Sequence, residues 1–241
     1  MKKIAPYIHF ARIATPLALE KLQAHGFRHV LAWIKQEPEN RTTLSEHELY
    51  GYISDHNLEV AAAFVGSGML PYLANSSYGR KEALKHYKQA ILSAEEHRVP
   101  LLVMDALPTS EPFVSALREL ADYASDNGVM LCIRDGVDVD TVGLLSEVDN
   151  LYYCYDTAAV MRSKQDLLVC AERAQDKLML VCLGEELPGK QRLVPGTGKV
   201  DFAPIVAFLE KIKYQGIWGV SANTAPQGMS PDDMLETVAK L

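Results

Sequence analysis

Short apolar runs recur along the chain, each followed by a longer amphipathic stretch. The runs fall at residues 4–9, 29–34, 58–65, 101–104, 129–133, 151–155, 178–183 and 217–220. Most are continuously apolar rather than alternating, which is the pattern of parallel strands covered on both faces. Helical spacing fills the intervals at 16–25, 44–57, 78–98, 111–127, 139–148, 165–175 and 202–212, with a last helix at 231–241. In the long third helix Ala83, Leu84, Tyr87, Ile91 and Ala94 share one face. Thr15, Ser110, Asp201 and Ser230 stand where N-caps belong, and Gly26 and Gly128 where helices stop. Eight strand–helix units in 241 residues predict a (β/α)8 TIM barrel, with residues 1–241 as one domain. A doubly wound open sheet is the alternative. No G-x-G-x-x-G follows the first strand, so a dinucleotide-binding domain lacks support.

Composition narrows the partners. With 24 Lys and Arg against 31 Asp and Glu the formal charge is −7, which argues against a non-specific nucleic-acid binder. The apolar stretch after Met1-Lys2-Lys3 is broken by Pro6 and His9, so it reads as neither a signal peptide nor a membrane span. Cys132, Cys154, Cys170 and Cys182 form no C-x-x-C pair, and they read as reduced, buried thiols of a cytoplasmic protein.

In a (β/α)8 barrel the chemistry sits at the C-terminal ends of the strands. Those positions carry His9, Lys35, Asp105, Arg134, Asp135, Asp156, Glu185, Glu186, Lys190, Arg192 and Asn223. This mixed-sign ring suits a small polar ligand such as a sugar, a sugar phosphate or a carboxylate. Trp33 and Trp218 fall in strands and read as core, and either one facing the mouth could stack on a sugar ring. The segment 196–199 (GTGK) fails as a phosphate loop, because Leu193 stands where the first Gly belongs and Val200 where Ser or Thr does. A weaker role for its amides or for Lys199 near a substrate anion stays open.

The segment 195–202 (PGTGKVDF), the following Tyr214-Gln215-Gly216, and Asp156-Thr157 together resemble the closing and strand-six signatures of the xylose-isomerase-like (β/α)8 superfamily. That group comprises sugar phosphate isomerases and epimerases related to endonuclease IV. The resemblance implies a divalent metal held by a carboxylate after strand five, Asp and His after strands six and seven, and Glu after strand eight. This chain keeps Asp156, but carries Arg134 at the strand-five position, Ala159 and Cys182 at the histidine positions, and Ser221 or Ala222 at the last. Loss of the metal is the resulting expectation, with the Arg134 guanidinium in its place and paired with Asp156. Mn, Mg or Zn would return only under a different alignment, in which Asp135 replaces a ligand.

The expected activity is therefore that of a sugar or sugar-phosphate isomerase or epimerase. The expected catalytic residues are Asp156, Arg134, Glu185 and His9. Substrate contacts are expected from Trp33, Lys35, Asp105, Lys190, Arg192, Lys199 and Asn223. The alternative is a non-catalytic descendant that binds a sugar-like metabolite or a protein. Neither nucleic acid nor membrane is expected as a partner, and a homo-oligomer stays open. A metal-dependent endonuclease is disfavoured by the charge and by the replaced ligands.

Overall fold

The apolar runs become strands of one closed sheet. A computed structural model describes residues 2–8, 15–34, 44–75, 78–135, 139–187, 191–222 and 228–240. The elements begin with β1 (Lys3–Pro6), α1 (Thr15–Ala24), β2 (His29–Ile34), α2 (Glu46–Asp55) and β3 (Glu59–Val65). They continue with α3 (Leu70–Leu73), α4 (Tyr78–Glu96), β4 (Leu101–Asp105), α5 (Glu111–Asp126) and β5 (Met130–Arg134). Next come α6 (Thr141–Glu147), β6 (Leu151–Asp156), α7 (Thr157–Arg162), α8 (Leu167–Arg173) and β7 (Leu178–Leu183). The last are β8 (Glu185–Leu187), β9 (Gln191–Leu193), α9 (Ala203–Lys211), β10 (Ile217–Val220) and α10 (Pro231–Ala239).

Eight strands pair in parallel in the order β1-β10-β7-β6-β5-β4-β3-β2. A parallel bridge between Tyr7 and Leu31 joins the two ends, with the Ile8 amide donating to the Leu31 carbonyl at 3.0 Å. The fold is thus a (β/α)8 TIM barrel, and the open-sheet alternative is excluded. Leu31, Leu101, Val103 and Leu180 pack inside it with the thiols of Cys132, Cys154 and Cys182. All four cysteines are buried and free, and burial pushes the Cys132, Cys154 and Cys170 thiols up. Trp218 is core, with its ring 5.9 Å from that of Tyr214. Among the described residues no helix is long and apolar enough to cross a membrane.

Caps follow local chemistry. Ser230 and Asp233 form a capping box on α10, and Asp140 caps α6 by accepting the Gly143 amide. Asp201 acts one residue earlier than a standard cap: α9 starts at Ala203, whose amide donates to Asp201 Oδ1 at 2.9 Å. Ser110 occupies the N-cap position of α5, but its hydroxyl makes no capping bond. The expected 165–175 helix is present as the shorter α8, with a 3₁₀ turn after it, and α7 is an additional short helix between β6 and α8. The hairpin β8–β9 is an addition to the expected elements, because its strands are three residues long and largely polar.

The closing loop of the sequence is held by Glu185. Its carboxylate is 6% exposed, and Oε2 accepts the amides of Lys199 at 2.7 Å and Val200 at 3.0 Å. Gly196 has φ +84°, the left-handed conformation that glycine tolerates best. Gly198 serves a different purpose: a Cβ there would overlap the Glu185 carboxylate. The loop can close on Glu185 only because that methyl is absent. Gly198→Ala should therefore force the loop off its carboxylate and strand two amide donors, costing about 2 kcal/mol. Thermal unfolding should show a Tm lower by about 4–8 °C. An unchanged Tm would show that the clamp carries no stability.

Candidate active site

Strand alternation assembles the charged centre. Successive side chains on a strand point to opposite faces, so residues two apart share one. Val103, Cys132 and Cys154 face the barrel interior, which sends Asp105, Arg134 and Asp156 to the same side at the C-terminal mouth. Strand register then sets Asp105 beside Arg134 and Arg134 beside Cys154. Arg134 Nε and Nη2 both reach Asp105 Oδ1, at 2.7 and 2.6 Å, and Nη1 lies 3.7 Å from Asp156 Oδ2. Burial works against the Arg134 charge, but Asp105 and Asp156 outweigh it and hold the guanidinium above its usual range.

Asp156 is 2% exposed and committed on both oxygens. Oδ1 accepts the Ala158 amide at 3.1 Å as the N-cap of α7. Oδ2 faces Arg192 Nη2 at 3.4 Å as well as Arg134. Arg192 comes from β9, so the hairpin leans over the mouth. Its Nε lies 3.5 Å from Glu186 Oε2, and Glu186 is in turn bonded to Arg162. An alternating series of six charges thus runs from Asp105 to Arg162. Buried Thr157 pins the hairpin's root: its hydroxyl donates to the Gly184 carbonyl at 2.8 Å and accepts the Gly184 amide at 3.0 Å.

The opposite wall is aromatic. The Tyr7 ring lies 6.2 Å from Trp33 and 6.0 Å from Phe64, and the Arg134 guanidinium sits 5.2 Å above Phe64. Burial pushes the Tyr7 phenol up to about 12, with Arg134 and Arg192 pulling it partly back. Tyr7 therefore stays protonated at neutral pH and can donate a hydrogen bond.

Of the expected residues, Asp105, Arg134, Asp156 and Arg192 come together. Trp33 lines the same end but is only 5% exposed, so its ring packs on its neighbours and offers little face for stacking. Glu185 does not join the cluster, because its carboxylate holds the closing loop. Lys199 engages through its amide, and its side chain is exposed. Of the segment 196–199 amides, that of Lys199 is taken by Glu185 and that of Thr197 by the Val194 carbonyl. His9, Lys35, Lys190 and Asn223 lie outside the described residues. Tyr7, Phe64 and Arg162 are the members that sequence reading passed over. The alternation of Ala5 with Tyr7, and of Ala62 with Phe64, carries the signal for the two aromatics.

Of the positions at which the resemblance implies metal ligands, Asp156 is the one that carries a carboxylate among the described residues. Among the described residues no group of three or more His, Cys, Asp or Glu could hold one. The two mouth carboxylates already share a guanidinium, and Asp135 faces away from them. The Asp135 carboxylate accepts the Tyr153 hydroxyl, 2.7 Å from each oxygen, on the outer face of the barrel wall. Burial raises Asp135 to about 6, against the opposing pull of the Tyr153 hydroxyl and the Asp156 amide. Its folded value thus exceeds the unfolded one, near 3.9. Stability from this group is full below the unfolded value and is lost as pH rises through about 6. The unfolding free energy of the wild type relative to Asp135→Asn should accordingly fall by about 2–3 kcal/mol between pH 4 and 7, measured by urea denaturation. A flat difference across that range would remove the buried, protonatable carboxyl from this account.

Known proteins agree with this architecture. The structure superposes on D-psicose 3-epimerase, solved in the presence of D-fructose, with TM-score 0.75 at 16% identity, covering 99% of this chain and 96% of that one. For L-ribulose 3-epimerase the TM-score is 0.78 at 15% identity, covering 100% and 92%. For a family 2 AP endonuclease from Brucella melitensis it is 0.77 at 17% identity, covering 97% of each chain. At these identities the likeness establishes the fold. In sequence the chain is 32% identical over 114 residues to the L-ribulose 3-epimerase of Methylomonas sp. (strain DH-1), spanning 43% of this chain and only 38% of that protein. The model of the xylose isomerase-like TIM barrel family matches residues 19–240, and with the barrel and its closing loop in place the chain belongs to that family.

Proposed function

We propose that this protein is a sugar isomerase or epimerase that moves a proton beside the carbonyl of a small sugar or sugar phosphate. In this reading Arg134 stands where the resemblance implies a divalent cation. One observation carries the proposal: a guanidinium is clamped between two carboxylates at the barrel mouth, facing an aromatic wall. The names of its relatives support a sugar as substrate. The charge of −7 speaks against nucleic acid, and four thiols without a disulfide suit the cytoplasm.

The chemistry follows from the geometry. Abstracting a proton next to a carbonyl leaves an enediolate, whose negative oxygen needs fixed donors. Arg134 and Arg192 supply them on one side of the mouth. Arg134 contacts one oxygen of Asp105, which is half-buried, whereas Asp156 is sealed beneath two guanidiniums. Asp105 is therefore the carboxylate placed to take and return the proton, and Asp156 orients the two arginines. The engagement of both carboxylates by Arg134 also favours a second reading, a descendant that binds a sugar without turning it over.

Solvent-deuterium incorporation into ketopentoses, ketohexoses and their phosphates separates the two readings. Exchange at the carbon beside the carbonyl supports the enzyme, and saturable binding without exchange supports the descendant. In the active case Arg134→Met should lower kcat about 10²- to 10³-fold. Asp105→Asn should lower kcat by about 10²-fold or more, with a smaller change in KM. Turnover should also survive exhaustive treatment with a chelator. Activity lost to the chelator and restored by Mn²⁺ would overturn the role given to Arg134.

A further inference from the structure

The charges at the rim close into a ring. Asp156 Oδ1 accepts the Ala158 amide and so starts α7, whose last residue is Arg162. Arg162 Nη1 donates to Glu186 Oε2. The same oxygen faces Arg192 Nε at 3.5 Å, and Arg192 Nη2 returns to Asp156 Oδ2 at 3.4 Å. Asp156, α7, Arg162, Glu186 and Arg192 thus form a circuit that begins and ends on one carboxylate.

Each joint is set locally. Glu186 and Arg192 stand opposite each other in β8–β9, which puts both side chains on one face of the hairpin. Asp156 at the start of α7 and Arg162 at its end both complement the helix dipole. Thr157, the first residue of α7, is tied through its hydroxyl to Gly184, the residue before β8, so helix and hairpin hold one register. Exposure rises around the circuit from the mouth outward. The Asp156 side chain is 2% exposed and that of Arg192 17%, against 39% for Arg162.

The two claims on Glu186 are unequal. Arg162 makes a hydrogen bond to it, whereas the Arg192 contact is too long for a full one. An ion pair as wet as Arg162–Glu186 adds little to stability. Its effect is on direction. A carboxylate relieved of one guanidinium takes the next as a two-bond fork. Without Arg162, Glu186 would close on Arg192 and draw it off Asp156, which keeps Arg134 as its counter-charge.

We propose that Arg162 is a positioning residue: by occupying Glu186 it keeps the Arg192 guanidinium turned toward Asp156 in the mouth. Its consequence for turnover rests on the function proposed above; its effect on Arg192 does not.

The Nε–H signal of Arg192 in NMR spectra of the whole chain tests this, identified by its absence from Arg192→Lys. Arg162→Met should shift that signal and slow its exchange with water about tenfold, as the long contact to Glu186 closes. Adding Glu186→Gln to Arg162→Met removes the competing charge and should return the signal toward that of the wild type. In an active wild type, Arg162→Met should lower kcat about tenfold, and the double variant should recover most of it. Both should melt within about 4 °C of the wild type. Arg118→Met, at an exposed arginine paired with Glu111 and Glu147 away from the mouth, should change neither readout. An Arg192 signal that Arg162→Met leaves unmoved, or that Arg118→Met moves equally, would overturn the proposal. So would a double variant no nearer the wild type than the single one, or a signal that moves while kcat stays put. If the wild type turns over no sugar, the function proposed above fails and the Arg192 signal still decides the role of Arg162.

Discussion

A half-buried guanidinium at the top of a barrel dictates the rest of the mouth. Taking a charge out of water costs several kcal/mol unless opposite charge and hydrogen bonds surround it. Arg134 meets that demand with Asp105 on one neighbouring strand, Asp156 on the other, and the face of Phe64. Each partner then needs its own partner. Asp156 draws in Arg192 and the first turn of α7, Arg192 draws in Glu186, and Glu186 draws in Arg162. The shape of the rim follows from settling these charges one after another.

The fold was legible because its signal is long and redundant. Eight apolar runs with helical intervals admit few arrangements, and β2, β7 and β10 lie at the residues expected for them. The closing segment was legible for a local reason, since Gly196 and Gly198 occupy positions where a side chain is strained or excluded. The hairpin β8–β9 was not, because three-residue polar strands look like a loop. Nor was α7, whose first four residues are all buried and so show no polar face.

The site was half legible. Strand ends named Asp105, Arg134 and Asp156 correctly as neighbours, because barrel topology alone brings strand ends together, whereas Arg192 reaches them from the hairpin. The role of Glu185 was hidden, since nothing in one dimension says that a carboxylate will turn toward amides fourteen residues later. Tyr7 and Phe64 were hidden by their company. In a continuously apolar strand an aromatic that faces the ligand looks the same as one that faces a helix, and only the inward register of Ala5 and Ala62 distinguishes them.

The hairpin carries a consequence of its own. Two three-residue strands cannot hold themselves in place in water. This pair is fastened at its root by Thr157 and at its arms by Glu186 and Arg192. Its arms thus rest on the same charges that a ligand in the mouth would recruit. A molecule that draws Arg192 away from Asp156 also unfastens the rim above it.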